Sequence, residues 1–586
     1  MENWVIKNKK ADFEHIVSMC GISEVVARCL VNKGIEDPQQ INTFLNPSIN
    51  GMHSPFLLKD MKVACDLLQR KIQEGKKIRI IGDYDVDGVI ATFILYQTLN
   101  ELGANVDYEI PDRIKDGYGI NVNIVKAAYD EHIDTIITCD NGIAAIEQIQ
   151  LAKELNMTVI VTDHHSLVQT EDGSGYILPA ADALINPKNP ECSYPFEGLC
   201  GGAIAYKLCV SLAETMGLPQ KTDFGKELLA YTAIATICDV MDLVGENRII
   251  VKYGLDLLKH TKNKGLNALM EASKIDKDQL NTFHLGFVIG PCLNASGRLD
   301  TAKKGLELLL SKTKEEAVRL SEEVRSLNEI RKNMTLENVE KAIRFIDESE
   351  LKQDKVLIIY LENCHESIAG IIAGRVRERY NKPTLILTQA EGCIKGSGRS
   401  IEQYNMVEEL SKCRDLFLKM GGHPMAAGFS LPKENLDLLR KTLNLNTSLT
   451  DEMLIPKVTI DIHLPLGYVN EALINELHQL EPFGKGNEKP LFAEKNLKIK
   501  SAFIIGKNAS GIRFRLENQY GRTMDAIYFG DVVQFFDYIG NTYGSEEANK
   551  LKTGRGINAL LSITYFPRMN EYNGFKTIQL MIQNYR

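Results

Sequence analysis

Short apolar runs that end in acidic residues alternate with longer, helix-like stretches in the first half of the chain. The segments KKIRIIGDYD (76–85), HIDTIITCDNG (132–142) and MTVIVTDHHS (157–166) carry β-branched runs, and helix-like stretches such as VIATFILYQTLNELG and AYKLCVSLAETMG lie between and after them. Strands that alternate with helices predict a parallel, doubly wound sheet, so the fold class expected here is α/β. In such a sheet, functional residues lie in the loops at the carboxyl ends of the strands.

Carboxylates and imidazoles occupy those loops. The first strand leads into Asp83, Asp85 and Asp87, the second into Asp140, and the third into Asp163, His164 and His165. Carboxylates packed this closely repel one another, and a bound divalent cation is the simplest way to stabilise them. A solvated acidic turn is the alternative, and an EF-hand is disfavoured because the closing glutamate of its loop is missing.

A further acidic residue completes the candidate set. Asp239 ends a later apolar run, ATIC, and can reach the same edge of the sheet, with Asp242 as the competing candidate. Oxygen ligands together with an imidazole suit Mn²⁺ or Mg²⁺, and Mn²⁺ tolerates nitrogen better. The set is large enough for two ions, an arrangement suited to phosphoryl chemistry.

The rest of the chain divides by pattern into further domains. We predict a helical extension (1–50), an α/β catalytic domain (51–255), a helical connector with a long helix (256–350), a second α/β domain (351–450) and a small β-barrel (451–586).

Charge is distributed unevenly along the chain. The 586 residues carry 68 basic and 77 acidic side chains, a net charge of −9, which argues against coating nucleic acid or a membrane through bulk charge. Residues 491–586, however, hold 13 Lys and Arg against 8 Asp and Glu, with 15 Phe and Tyr. Cations interleaved with aromatic rings are typical of single-strand binding, although many such rings would also form a barrel core.

The expected location is cytoplasmic. The twelve cysteines are scattered without a CxxC motif, and no stretch reaches the roughly 18 apolar residues of a membrane span. We therefore expect no membrane partner.

The ordered motifs resemble a known family. GDYDVDG, CDNG, TDHH and ICDVMDLVGENR are similar to the DHH phosphoesterase superfamily. Four further segments resemble the associated DHHA1 domain: NASGRL (294–299), HESIAGIIAGRVRERY (365–380), GSGRS (396–400) and GGHPMAAGFS (421–430). Together with EPFGKGNEKPLF (481–492), they resemble the RecJ family of bacterial single-strand-specific 5′→3′ exonucleases, over roughly residues 50 to 586.

The resemblance implies a two-metal site. It assigns Asp83, Asp85 and Asp140 to one ion and Asp87, Asp140, His164 and Asp239 to the other. Asp140 would bridge the two ions, with Mn²⁺ favoured over Mg²⁺. His165 would lie beside the scissile phosphate as a catalytic residue, and Asp163 would support catalysis by fixing a ligand histidine rather than by binding metal.

The resemblance also implies residues that bind substrate. Ser397 and Arg399 offer a hydroxyl and a guanidinium, while Gly422 and His423 offer a close backbone approach and an imidazole; these groups suit a terminal phosphate. Arg113 and Arg298 resemble strand-contacting arginines, although either could form a surface ion pair.

The activity implied is hydrolysis of single-stranded DNA from the 5′ end, releasing 5′ mononucleotides in DNA repair and recombination. The implied architecture is a DHH parallel-sheet domain and a DHHA1 α/β domain joined by a long helix, followed by an OB-fold barrel. Expected partners are single-stranded DNA, a single-strand-binding protein and a RecQ-type helicase, with the chain itself a monomer. Two alternatives remain: a DHH phosphodiesterase for short oligoribonucleotides or cyclic dinucleotides, and a non-catalytic replication scaffold.

Overall fold

The computed structural model describes residues 2–170, 172–217, 223–506, 509–572 and 574–586. The chain forms two compact units, one of residues 49–456 and the other of residues 2–48 together with 457–586. Among the helices within the described ranges, none has the length and apolarity needed to cross a membrane.

The amino-terminal segment is mostly helical and belongs to the second unit. It contains strand β1 (Asn3–Ile6) and helices α1 (Phe13–Cys20), α2 (Glu24–Asn32) and α3 (Pro38–Leu45). Each helix starts behind a side chain that accepts a hydrogen bond from a backbone N–H in its first turn; these caps are Asp12, Ser23 and Asp37.

The first unit contains a five-stranded parallel sheet. After helix α4 (Met61–Gln73), its strands are β2 (Lys77–Ile81), β3 (Asn105–Glu109), β4 (Thr135–Cys139), β5 (Thr158–Thr162) and, beyond the hairpin of β6 (Val168–Gln169) and β7 (Tyr176–Ile177), β8 (Ala183–Ile185). The spatial order is β3-β2-β4-β5-β8. Helices α5 (Val86–Glu101), α6 (Val122–Asp130) and α7 (Ile146–Glu154) connect the strands. Helices on both faces explain why β2, β4 and β5 are almost continuously buried, and the α/β prediction is confirmed.

Helices follow the sheet as far as residue 347. They are α8 (Gly201–Thr215), α9 (Asp223–Cys238), α10 (Gly245–Lys259), α11 (Lys264–Ala272), α12 (Thr282–His284), α13 (Gly290–Leu299), α14 (Lys303–Leu310) and α15 (Lys314–Asp347). A π-helical turn, Leu285–Ile289, joins α12 to α13. The long helix predicted from the sequence is α15, which begins where the Thr313 side chain accepts a hydrogen bond from the N–H of Glu316.

A second, mixed sheet completes the first unit. Its elements are β9 (Leu357–Tyr360), α16 (Glu366–Tyr380), β10 (Thr384–Ala390), β11 (Cys393–Arg399), α17 (Met406–Ser411), β12 (Lys419–His423), β13 (Ala426–Leu431) and α18 (Leu436–Asn446). The strand order is β12-β13-β11-β10-β9, in which only the β9–β10 pair is parallel. Apolar side chains of α16 share a core with the carboxyl-terminal part of α15.

The second unit is built around a closed ring of strands. Its elements are β14 (Lys457–Ile460), β15 (Ile462–His463), α19 (Glu471–His478), β16 (Phe492–Ile505), β17 (Gly511–Glu517), β18 (Thr523–Phe529), α20 (Val532–Tyr543), α21 (Ser545–Lys552), β19 (Leu560–Tyr572) and β20 (Phe575–Tyr585). The sheet runs β15-β16-β17-β18-β20-β19 and closes through a β16–β19 pairing. This OB-like ring confirms the predicted barrel.

The barrel core includes the amino-terminal segment. Strand β1 pairs in parallel with β14, and Ile16, Leu30 and Ile41 pack in one cluster with barrel residues such as Phe514. The aromatic residues of the barrel divide between two environments, because Phe492, Phe514, Phe535 and Tyr565 are buried whereas Phe503, Tyr520, Phe529 and Phe575 are exposed.

Candidate metal centre

The acidic loops lie at the carboxyl ends of three neighbouring parallel strands. Strand β2 leads into Asp83, and Asp85 caps α5 by accepting a hydrogen bond from the N–H of Gly88 at 3.1 Å. Gly88 has no side chain because an added Cβ would lie 2.6 Å from the backbone N and O of Asp83. This close contact between loop and helix brings Asp87, in the first turn of α5, to the same edge of the sheet.

Three groups of potential ligands meet at this edge. Within each group the ligand atoms lie within 4.8 Å of one another, and the groups are Asp83, Asp85, Asp140; Asp87, His164, Asp239; and Asp140, His164, His165. Nε2 of His164 is 3.1 Å from Oδ1 of Asp140, 3.6 Å from Oδ2 of Asp239 and 3.8 Å from Oδ2 of Asp87. The six residues proposed as ligands are therefore brought together.

The structure separates the two candidates that follow α9. Asp239 directly follows that helix and joins a ligand group, whereas Asp242 is exposed and belongs to none of the three groups found among the described residues. The backbone carbonyl of Asp242 accepts a hydrogen bond from Nδ2 of Asn247 at 3.1 Å.

The electrostatics of the cluster favour a cation. Burial, followed by repulsion from neighbouring carboxylates, raises the pKa of Asp83 to about 7 and that of Asp239 to about 8, and raises the pKa of Asp140 well above its usual range. Oδ1 of Asp83, Oδ1 of Asp140 and both ring nitrogens of His164 are buried without a hydrogen-bond partner. Burial lowers the pKa of His164, which keeps its imidazole neutral and able to coordinate. The donor set therefore fits divalent metal.

Asp163 contacts His165 rather than the ring of His164. Its Oδ1 lies 2.7 Å from Nδ1 of His165 and accepts hydrogen bonds from the N–H groups of His164 and His165 at 2.7 and 3.1 Å. Although burial opposes it, the hydrogen bond from His165 lowers the pKa of Asp163. Burial likewise opposes the shift of His165, but the same bond raises the pKa of His165 to about 9.

Three of the residues expected to bind the strand, Arg113, Ser397 and His423, line cavities of the first unit. A cavity of about 250 Å³ is lined by Arg113, Ser397 and Lys395 among others. Arg298 donates to the carbonyl of Ser367, which also lines this cavity. The Arg113 guanidinium lies 4.5 Å from the centre of the Tyr84 ring, where it makes a cation–π contact.

His423 lines a second cavity, which does not include Ser397 among its lining residues. It has a volume of about 410 Å³ and is lined by His423, His165 and Tyr118 among others. Arg399 donates from Nη1 to Oγ of Ser397 at 3.2 Å. Gly422 has a φ of +155°, and an added Cβ would lie 2.4 Å from the carbonyl oxygen of Ala426, which explains the glycine through strand packing.

Sequence reasoning missed the groups that hold the ligands. The N–H groups of Gly201 and Gly202, at the start of α8, donate to the two carboxylate oxygens of Asp87 at 2.6 and 2.8 Å. The Tyr118 hydroxyl donates to the carbonyl of Asp140 at 2.8 Å and lies 3.1 Å from Nδ1 of His165. The glycine pair in LCGGA and the DGYG motif were the available signals.

A buried asparagine fixes the loops around the cluster. Nδ2 of Asn141 donates to the carbonyls of Ile81 and Cys139 at 3.0 and 2.9 Å, and its Oδ1 accepts from the N–H of Ile120 at 3.1 Å. One side chain therefore ties the ends of β2 and β4 to the loop that carries Tyr118.

Comparison with known proteins identifies the domains and their relatives. Residues 77–236 match the DHH family, N-terminal domain, residues 353–447 the DHHA1 domain and residues 460–584 the RecJ OB domain. The chain is 34% identical to the single-stranded-DNA-specific exonuclease RecJ of Bacillus subtilis, over 99% of this chain and 70% of the relative. It is 32% identical to RecJ of Escherichia coli, over 96% of this chain and 95% of the relative. The crystal structure of RecJ in complex with Mn²⁺ from Thermus thermophilus aligns with a TM-score of 0.82 at 25% identity, covering 100% of this chain and 79% of that one.

Proposed function

The chain belongs to the RecJ family of single-stranded-DNA-specific exonucleases, and from that premise we propose that it degrades the strand from its 5′ end and releases 5′ mononucleotides. The observation that carries the proposal is the convergence of carboxylates and one buried imidazole at a single sheet edge. A non-catalytic scaffold would have no use for such a set, since its buried, unpartnered oxygens destabilise the fold without metal.

The cluster is proposed to hold two divalent ions. Asp83, Asp85 and Asp140 would bind one, and Asp87, His164 and Asp239, together with Asp140, the other. Bound there, divalent cations supply activation of water and stabilisation of negative charge at phosphorus. The imidazole favours Mn²⁺ over Mg²⁺. The Thermus thermophilus relative has been solved in complex with each of the two ions.

The remaining residues of the site position ligands and protons. The amides of Gly201 and Gly202 orient both oxygens of Asp87. Asp163 keeps a proton on His165, whose side chain is 42% exposed and can therefore reach a bound phosphodiester. We infer that His165 hydrogen-bonds the scissile phosphate and protonates the departing 3′ oxygen.

Replacing Asp163 by asparagine should shift the alkaline limb of the plot of kcat against pH to lower pH. Imidazolium is present below the pKa of His165 and is lost as pH rises through it, near 9 in the native protein. Without the Asp163 carboxylate, the His165 pKa should fall towards the ordinary value of about 6.5, lowering kcat at pH 8 by about 10-fold or more. The measurement is kcat on single-stranded DNA from pH 6 to about 10, with Asp172→Asn, a change in the exposed β6–β7 hairpin, as control. An unmoved alkaline limb in the Asp163 variant would remove His165 from this role.

Polarity would come from the Ser397 cavity. The Ser397 hydroxyl, the Lys395 ammonium and the Arg113 guanidinium line this cavity beside the Glu366 carboxylate, which lies 2.8 Å from the Lys395 ammonium. The lining keeps a net positive charge, which suits a terminal phosphate. A strand whose 5′ phosphate occupies this pocket cannot continue past it, so cleavage begins at that end.

The proposal is tested with a long oligonucleotide labelled at either end and incubated with Mn²⁺, beside a blunt duplex of the same sequence. We expect a 5′ label to appear as mononucleotide from the earliest time points, a 3′ label to appear on progressively shorter strands, and the duplex to persist. Mononucleotide released first from the 3′ label would refute the polarity. A long strand that resists while a dinucleotide is cleaved would favour the short-oligonucleotide phosphodiesterase.

A further inference from the structure

Two phenylalanine rings lie stacked on the surface of the first unit, on the segment that joins α12 to α13. The centroids of the Phe283 and Phe287 rings are 5.2 Å apart, and their planes differ by 20°. The two side chains are 59% and 69% exposed. Single exposed apolar residues are common, but adjoining exposed aromatic rings mark a surface that binds something.

The backbone holds this pair outward. Leu285 and Ile289 of the π-helical turn are buried, whereas Phe283 and Phe287, which are four residues apart, face solvent. π-Helical turns are rare and occur frequently at functional sites. The segment thus has an aliphatic face towards the core and an aromatic face towards solvent.

The aromatic segment is packed against the helix end that supplies a proposed metal ligand. Sγ of Cys238, the last residue of α9, lies 3.7 Å from the carbonyl oxygen of Leu285 and donates to it. An added Cβ at Gly290 would lie 2.4 Å from the same sulfur. Because Asp239 follows Cys238 directly, the carboxyl end of α9 contacts the aromatic segment and also carries a proposed metal ligand.

Val240, the next residue, is also unusual. It has a left-handed φ of +57° at the end of α9 and is 59% exposed. Glycine is usual at this position of a helix end, and a β-branched residue is strained there. The strain places an apolar side chain in solvent immediately after Asp239, and such strain is typical of functional sites.

Helix α13 orients the aromatic pair relative to the Ser397 cavity. Phe287 lies just before α13, and Arg298, which contacts Ser367 of that cavity, lies near its carboxyl end. At 1.5 Å per helical residue the two positions are about 15 Å apart along the helix. The end of α13 next to the rings contacts Cys238, beside Asp239, whereas its other end lies against Tyr84 of the Ser397 cavity, where an added Cβ at Gly297 would be 2.6 Å from the Tyr84 carbonyl oxygen.

We propose that Phe283 and Phe287 form a stacking platform for a nucleobase of the single strand on the 3′ side of the scissile phosphate, with Val240 contacting the strand between platform and metal cluster. The inference rests on the proposed function, since it takes the 5′ phosphate to lie in the Ser397 cavity. The contact of the aromatic segment with Cys238, directly before the proposed ligand Asp239, favours a strand over a partner protein as occupant. Flat, parallel, exposed rings suit bases of any sequence.

The test combines ring removal with substrates that lack one base. In the Phe283→Ala/Phe287→Ala variant we expect KM for long single-stranded DNA to rise about 10-fold, as loss of one stacked base predicts, with kcat little changed. A 5′-phosphorylated dinucleotide, too short to reach the platform, should be cleaved as by the native protein. Phe345→Ala, which removes a 55% exposed phenylalanine from α15, is the matched control and should leave both substrates unaffected.

Abasic sites placed at successive positions from the 5′ end locate the contact. With the native protein, KM should rise when the missing base is at one particular internal position. This rise should vanish in the double variant. The single variant Phe287→Trp, which keeps an aromatic ring at that position, should have a KM close to that of the native protein. An unchanged KM in the double variant, or a rise in KM with the abasic substrate that persists in that variant, would refute base stacking on Phe283 and Phe287. Native protein that cleaves no single-stranded DNA would instead refute the proposed function.

Discussion

Replacing Asp140 by asparagine should lower kcat for single-stranded DNA by about 10³-fold or more, because the variant loses a charged ligand from the only residue proposed to serve both ions. The change is conservative for the backbone: Asp140 has a φ of +61°, and asparagine tolerates the left-handed region about as well as aspartate. The measurement is kcat with saturating Mn²⁺, together with the Mn²⁺-induced rise in Tm, which should shrink because less metal binds the folded state.

The stability of the metal-free variant separates loss of metal from loss of fold. Burial and neighbouring carboxylates raise the Asp140 pKa in the folded state, so its ionised form costs folding free energy above the unfolded-state pKa, and this cost is relieved as pH falls through the folded-state pKa. Asparagine removes the cost, so EDTA-treated variant at pH 8 should have a Tm at or above that of EDTA-treated native protein. The control is Asp242→Asn, which should keep native kcat. Lower Tm in the variant without metal would assign the lost activity to misfolding.

Replacing Gly201 by alanine should lower kcat by about 10- to 100-fold, the range for groups that orient metal ligands. An added Cβ would lie 2.6 Å from Cβ of Asp140 and 2.7 Å from its Oδ1, so α8 or the Asp140 loop must move. Either movement disturbs the hydrogen bond of 2.6 Å from the Gly201 N–H to Asp87. Mn²⁺ affinity, measured by titration, should fall together with kcat.

Gly374→Ala is the matched control for that change. Gly374 lies within α16, and an added Cβ there meets no atom within 4 Å. Alanine within a helix is more stable than glycine by about 0.5–1 kcal/mol, so this variant should keep native kcat with equal or higher Tm. If Gly201→Ala and Gly374→Ala had the same kcat and Mn²⁺ affinity, the close approach of α8 to Asp140 would not be needed for activity.

The metal cluster was predictable because each of its motifs is local. Asp83, Asp140 and His164 each follow a recognisable strand, and parallel strands must end at one edge of the sheet. Residue pattern alone left Asp239 and Asp242 open, because both follow the same helix; the family resemblance implied Asp239, and the structure places Asp239 in a ligand group.

The supporting groups were not predictable because they depend on contacts between distant segments. The Gly201 N–H donates to Asp87, which is 114 residues away in the sequence, and no local sequence pattern predicts that hydrogen bond. Ser397 and His423 were grouped because both residue types suit a terminal phosphate; in the structure Ser397 lines one cavity and His423 the cavity that His165 also lines. Their binding of a phosphate stays a prediction.

The same distinction applies to the fold. Strand and helix periodicity predicted the parallel sheet, the long helix α15 and the barrel. It gave no hint that residues 3–6 pair with residues 457–460, because a parallel pairing of such distant strands leaves no mark in either segment. Treating residues 1–50 as an extension overlooked their apolar face, which fills the barrel core.

The central claim is that the Asp and His cluster makes this chain a metal-dependent, single-strand-specific nuclease. The direct measurement is mononucleotide release as Mn²⁺ is titrated into EDTA-treated protein, with a 5′-phosphorylated single strand and a blunt duplex in parallel. We predict no release without metal, release from the single strand that saturates with Mn²⁺, and little release from the duplex. Release that persists in EDTA, or that proceeds equally from the duplex, would contradict the account.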